Sequence, residues 1–177
     1  LAIETSCDET SIALLEAEGG INNPRFRVLQ NLVSSQIAIH RPFGGVVPNL
    51  AKREHLKNLP IIFKKIMGKG FLKSEILNSK FETNSNVKNP KKIKTLKHLN
   101  FDIVSDFDIR YSNFIPNIIT VTVGPGLEPA LWTGIEFTKQ IQKDYFPKAK
   151  LIGVNHLEGH LYSFLLQEKT VDSKFEI

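Results

Sequence analysis

The chain has 177 residues, enough for one domain with a proper core, and at 41% apolar and 23% charged it has an ordinary globular composition. Its apolar runs are far too short for a membrane-spanning helix, and a single cysteine, Cys7, excludes an internal disulfide framework while permitting a reducing compartment. The net charge of +5 is local: residues 69–100 hold eight lysines against Glu75 and Glu82, a surplus of six, so the remainder sums to −1. That basic segment reads first as a solvated loop and second as an arm neutralising nucleic-acid phosphates. Leu1 opens inside a strand pattern and "SKFEI" closes without a cap or turn, so a piece of a longer protein is expected, with any targeting peptide upstream.

In chain order, "LAIETSCDETSIALLEAEGG" predicts a β-hairpin, with strands over Leu1–Thr5 and Thr10–Ala17 and a polar turn over Ser6–Glu9. Gly19-Gly20 and Asn22-Asn23-Pro24 mark the next turn, and "FRVLQNLVSSQ" predicts a third strand, completing an antiparallel meander. "RPFGGVV" is a glycine loop. Pro48 opens a helix over "PNLAKREHLKNLPIIFKKIMG", with Leu56, Leu59, Phe63 and Ile66 as its apolar stripe. Pro60 should kink or interrupt it, and Gly68 and Gly70 end it. After the basic segment, "NIITVTV" (Asn117–Val123) is β-branched with little alternation, which predicts a strand buried on both faces. Gly124-Pro125-Gly126 turns it into a helix over "EPALWTGIEFTKQIQKDY", with Pro129 suited to the first turn. "KLIGV" is the last strand and "HLEGHLYSFLLQE" the last helix. Strand–helix–strand–helix order implies parallel pairing, so the whole reads as an α/β domain on a five-stranded mixed sheet with helices.

Chemistry concentrates in "NHLEGHLYSFL" (Asn155–Leu165). His156 and His160 are spaced i, i+4, which on a helix puts both imidazoles on one face, one turn apart. Two ligands of one metal ion need that geometry, and the pair follows a strand end, where open α/β sheets place ligands. The plainer alternative is a pair of polar residues near a helix start. A zinc-protease signature needs glutamate directly after the first histidine, but Leu157 stands there and Glu158 comes one place later. Gly124, Pro125 and Gly126 form a candidate anion site at a helix N-terminus, or simply a tight turn. Asp8 and Glu9 lie at the tip of the first hairpin. Adjacent turn carboxylates are usually solvated; facing a cleft, they could bind a phosphate-bridging cation or orient a nucleophile. Cys7 reads as a small buried thiol rather than a nucleophile. His55 reads as part of a basic polar face with Lys52, Arg53 and Lys57, solvated or in contact with phosphate.

Four stretches occur in one order: "IETSCDETSIAL" (Ile3–Leu14), "GGVVPNLAKREHLKNL" (Gly44–Leu59), "VTVGPGLEPALWTGIEFTK" (Val121–Lys139) and "VNHLEGHLYSFL" (Val154–Leu165). Together they resemble the universal tRNA threonylcarbamoyladenosine transferase family, formerly taken for glycoproteases. The lysine-rich insertion makes the chain most similar to the mitochondrial branch, close to its fungal member. The resemblance implies a ribonuclease-H-like lobe of the actin/Hsp70/sugar-kinase (ASKHA) fold. Residues 1–177 would be the first lobe, with a basic insertion at about 69–100 and the second lobe outside this chain.

The resemblance also implies an acyl transfer: a threonylcarbamoyl group passes from its adenylate to N6 of the adenosine 3′ of the tRNA anticodon, and AMP leaves. His156 and His160 would be two ligands of one divalent metal per subunit, zinc or iron, with a third aspartate ligand on the second lobe. Asp8 and Glu9 would be catalytic residues facing the cleft, and Gly124, Pro125 and Gly126 would line the adenine-nucleotide site. The implied partners are tRNA, a separate synthase supplying the adenylate and a second copy of the chain, with no membrane contact and a mitochondrial location. Asn49, Glu128-Pro129-Ala130 and Leu131-Trp132 depart from the family pattern, and the chain stops before the family's "SGGH" phosphate loop. The competing readings are a non-catalytic scaffold of the same fold, which loses the histidines kept here, and a metalloprotease, disfavoured by Leu157.

Overall fold

The computed structural model describes residues 1–20, 22–68 and 114–167. The basic insertion and the closing "SKFEI" lie outside them. Three strands, β1 (Ala2–Glu4), β2 (Glu9–Glu18) and β3 (Arg25–Ser35), form the antiparallel meander. A short helix α1 (Ile37–His40) and a 3₁₀ turn (Arg41–Phe43) occupy the start of the glycine loop, and Gly44 closes that turn in the left-handed region at φ 69°. Helix α2 (Pro48–Met67) follows, then β4 (Ile118–Gly124), α3 (Glu128–Tyr145), β5 (Lys150–Asn155) and α4 (His156–Tyr162).

With β6 the two residues Leu166–Gln167, the sheet order is β5-β4-β1-β2-β3-β6, with β5, β4 and β1 mutually parallel. It is the predicted mixed sheet with one addition. The C-terminal helix ends early, at Tyr162, where the Ser163 hydroxyl donates to the His160 carbonyl (2.8 Å). A 3₁₀ turn (Ser163–Leu165) and a two-residue strand β6 (Leu166–Gln167) follow, and β6 pairs with Phe26 and Arg27 at the sheet edge.

Helices α2 and α3 pack against each other and against the sheet, α2 on β2 and α3 on β4. Between them lies one core of Ile3, Ile12, Leu14, Leu32, Leu59, Ile62, Phe63, Ile119, Val121 and Phe137. The sheet residues in it alternate along each strand, as burial of a single face requires. Strand β4 was expected to be buried on both faces, but among the described residues both helices cover the same one. Ile119 and Val121 on the covered face are buried; on the other face Ile118 is exposed, Thr120 is half-buried, and only Thr122, which donates to Glu4, is buried.

Helix α2 also runs unbroken through Pro60. The missing N–H leaves the Leu56 carbonyl unpaired within the helix, which costs about 3 kcal/mol in an isolated helix. Leu59, Ile62 and Phe63 around it are buried, and their packing keeps the helix continuous. Among the described residues, no helix is long and apolar enough to cross a membrane.

Candidate metal centre and the acidic turn

Because β1, β4 and β5 are parallel, their C-terminal ends reach the same edge of the sheet. That edge gathers Glu4-Thr5-Ser6, Gly124-Pro125-Gly126 and Asn155-His156. It is where open α/β sheets bind ligands.

Asn155 sets the start of α4. Its side-chain oxygen accepts from the amides of Leu157 (2.8 Å) and Glu158 (3.3 Å), capping a helix that opens on His156. One turn on, His160 brings its Nε2 to 3.1 Å from Nε2 of His156, with the two rings edge to face. Two nitrogens each about 2.0–2.1 Å from one zinc ion, at bond angles between square and tetrahedral, stand roughly 2.8–3.4 Å apart. The pair fits a shared metal ion. No group of three or more His, Cys, Asp or Glu residues able to hold a metal occurs among the described residues, so the described residues offer two of the usual three protein ligands.

The other face of His156 is also fixed. Its Nδ1 lies 3.2 Å from Glu4 Oε2 and 3.3 Å from the Ser6 hydroxyl. Glu4 is anchored in turn: Thr122 Oγ1 donates to its Oε2 (2.5 Å) and the Ser6 amide donates to its Oε1. Burial pushes the Glu4 carboxyl up, but hydrogen bonds from Ser6, Thr122 and His156 outweigh it and hold the group below its ordinary range. An ionised Glu4 is a natural acceptor for an Nδ1 proton, which turns the Nε2 lone pair towards His160 and the open side. A carboxylate behind a ligating histidine is the usual arrangement in metal sites. The sequence reading missed Glu4 and Ser6. The available signal was a lone charged residue at the end of the apolar strand "LAIE".

The glycine turn is built against the end of β1. The Leu127 amide donates to the Ser6 carbonyl (2.7 Å), and Thr5 Oγ1 donates to the Ala130 carbonyl (2.9 Å). A Cβ on Gly126 would meet Ser6 O at 2.6 Å, and a Cβ on Gly134 would meet Thr5 Oγ1 at 2.3 Å. Both glycines are what let the loop and helix approach this closely. Pro129 has no N–H, and the amides of Ala130 and Leu131 are bonded to the Leu127 carbonyl. Among the described residues, Gly126 and Glu128 are the amides left for a ligand at this helix start.

Asp8 lies in the turn, half-buried, and Glu9 is exposed as the first residue of β2. Both sit at the same sheet edge as the histidines, two and three residues beyond Ser6. Cys7, just before Asp8, is exposed rather than buried. Partial desolvation and the neighbouring Asp8 push its thiol up, which disfavours the thiolate a nucleophile needs. The basic-face reading of His55 is corrected. Its side chain is fully buried, because α2 rests on β2 along that side, and its ring reaches the back of the acidic turn.

The chain matches the family model described as tRNA N6-adenosine threonylcarbamoyltransferase over residues 27–78 and 108–174. A protein of that name from Fervidobacterium nodosum is 40% identical over 163 residues, 92% of this chain and 34% of the relative. One from Dictyoglomus turgidum is 39% identical over 168 residues, 95% of this chain and 36% of the relative. One from Clostridioides difficile is 33% identical over 175 residues, 99% of this chain and 38% of the relative. The chain spans about a third of the length of the curated relatives it matches.

Proposed function

Because the chain belongs to the tRNA N6-adenosine threonylcarbamoyltransferase family, with an α/β lobe of the ASKHA type, we propose that it is the first lobe of an enzyme making threonylcarbamoyladenosine in tRNA. In the reaction proposed, N6 of the adenosine bonds to the carbamoyl carbon of threonylcarbamoyl-adenylate. The bond from that carbon to the phosphate oxygen breaks, AMP leaves, and N6 gives up one proton. The observation that carries this reading is the convergence of the two Nε2 atoms at 3.1 Å with the Glu4 carboxylate behind His156, on the sheet edge that also holds the glycine turn and the acidic turn.

His156 and His160 would hold one divalent ion, zinc or iron. When bound, such an ion supplies Lewis-acid polarisation of carbamoyl or phosphoryl oxygens. Glu4 and Ser6 orient His156. Gly124, Pro125 and Gly126 form the floor on which the nucleotide lies, and Gly126 lets that floor pack directly against Ser6. Asp8 faces the incoming N6 amine and receives its proton, and Glu9 adds negative charge at the rim. Leu157, Leu161, Tyr162 and Phe164 stand exposed beside the histidines. A second wall of the cleft would cover them and exclude water from the reaction.

The partners that follow are tRNA, an enzyme supplying the adenylate, and a second copy of the chain. A mitochondrial setting rests on the likeness of the lysine-rich segment alone. The test is to incubate the full-length protein with threonylcarbamoyl-adenylate and an unmodified tRNA, then measure the nucleosides by mass spectrometry. Modified adenosine is expected. Its absence, with or without added divalent metal, would overturn the assignment.

A further inference from the structure

Behind the acidic turn runs a buried chain of polar side chains that the proposed reaction does not use. It starts at a backbone donor and ends at a backbone acceptor. The Val47 amide points to Nδ1 of His40 (3.3 Å), and His40 Nε2 lies 3.0 Å from Gln36 Oε1. Gln36 Nε2 lies 3.3 Å from Nδ1 of His55, and His55 Nε2 lies 3.0 Å from the Cys7 carbonyl oxygen. Thr10 Oγ1 also reaches His55 Nδ1, at 2.8 Å. His40, Gln36, His55 and Thr10 are all buried.

The two ends fix every proton between them. An amide can only donate, so His40 Nδ1 accepts and its Nε2–H donates to Gln36 Oε1. The Gln36 amide nitrogen must then face His55 and donate to Nδ1. A carbonyl can only accept, so His55 Nε2–H donates to Cys7. Thr10 adds a second donor to His55 Nδ1. Each link agrees with its neighbours only if both histidines are neutral, each in its Nε2–H tautomer. Burial acts the same way on His55, holding its imidazole below the ordinary value despite the Cys7 bond and the charges of Glu4 and Asp8.

The far end of this chain is the Cys7 carbonyl, one residue before Asp8. The Asp8 carbonyl is held separately by the Gln36 amide (2.8 Å). Gln36 therefore grips the turn with its backbone and orients His55 with its side chain. We propose that His55 is a positioning residue: through Nε2–H on the Cys7 carbonyl it fixes the turn that presents Asp8 to the cleft. This rests on the reading of Asp8 as a cleft residue.

The test uses the full-length protein with His55→Gln and His55→Asn. Glutamine can place an amide N–H where Nε2 stood, whereas asparagine reaches only the Nδ1 position and cannot donate to Cys7. Two readouts are taken: transfer kinetics, and hydrogen exchange at the Gln36 amide, which reports opening of the turn whatever the protein's activity. His55→Asn is expected to lower kcat about tenfold with KM for tRNA unchanged, and to speed Gln36 exchange about tenfold. His55→Gln should recover most of both. If His55→Asn does not fold, Thr10→Val removes one donor to Nδ1 and should speed Gln36 exchange about threefold, still with KM unchanged. Wild-type kcat and exchange in His55→Asn, or no recovery in His55→Gln, overturns the proposal. If the wild type transfers nothing, the assigned reaction fails, and the exchange comparison still decides whether His55 holds the turn.

Discussion

Substituting Gly126 by alanine tests how the site is assembled. An ideal Cβ there lies 2.6 Å from the Ser6 carbonyl oxygen, 2.8 Å from Ser6 Cβ and 3.0 Å from Ser6 Cα. Ordinary contact begins at 3.4 Å, so the glycine turn and the end of β1 must separate by the difference from 2.6 Å, about 0.8 Å. The nearest obstruction is a backbone oxygen, and no side-chain rotation relieves it. That oxygen also accepts the Leu127 amide at 2.7 Å, so separation lengthens the bond that joins the two loops. Overpacking of this kind costs about 1–3 kcal/mol. The same shift moves Ser6, whose hydroxyl lies 3.3 Å from His156, and misplacement approaching 1 Å at a reacting centre lowers activity by up to about 100-fold. The assay is urea unfolding of the full-length protein, paired with the transfer rate. Gly45→Ala is the control: nothing lies within 4 Å of its added Cβ, so its effect should stay within about 0.5 kcal/mol. If Gly126→Ala unfolds and transfers like Gly45→Ala, the two loops are not packed as described.

Gly159→Ala should stabilise the protein by about 0.5–1 kcal/mol, because the glycine lies inside α4 with nothing within 4 Å of its Cβ; a lower melting temperature would contradict this. Stability should also depend on pH through His55. The fold favours its neutral form, so the unfolded chain takes up a proton first, near the ordinary value of 6.5. That contribution is complete above 6.5 and declines as pH falls, and a urea midpoint that does not drop between pH 7 and 5.5, or that drops equally in His55→Gln, would refute it. Glu4 works in the same direction at lower pH: its stabilising charge is lost as pH falls below its ordinary value of 4.5. Asp8→Asn should reduce transfer at least tenfold with the melting temperature within a few degrees, whereas Glu9→Gln, on an exposed side chain, should cost only a few-fold. Equal effects of the two would remove the distinction drawn between them.

What the sequence reveals depends on the range of the interaction. Helix α3 is legible from end to end because Pro129 and the apolar period are local signals, and the 3.1 Å approach of the histidines follows from their i, i+4 spacing. Pro60 also gave a local signal, but packing of Leu59, Ile62 and Phe63 overrides it. The parts that escaped were made by closure of the sheet. Glu4 meets His156, 152 residues away, only because β1 and β5 end at one edge. His55 shares its helix with Lys52, Arg53 and Lys57, and only the packing of α2 on β2 turns it inward rather than to solvent.

The most direct test of the account is the metal content of the full-length protein, measured alongside tRNA modification in the wild type, His156→Ala and His160→Ala. One divalent ion per chain is expected in the wild type. Each single substitution should remove both the ion and the transfer while leaving the melting temperature close to wild type, since α4 buries neither histidine. A variant that has lost its ion yet modifies tRNA at the normal rate would show that the paired imidazoles are not the centre of the reaction.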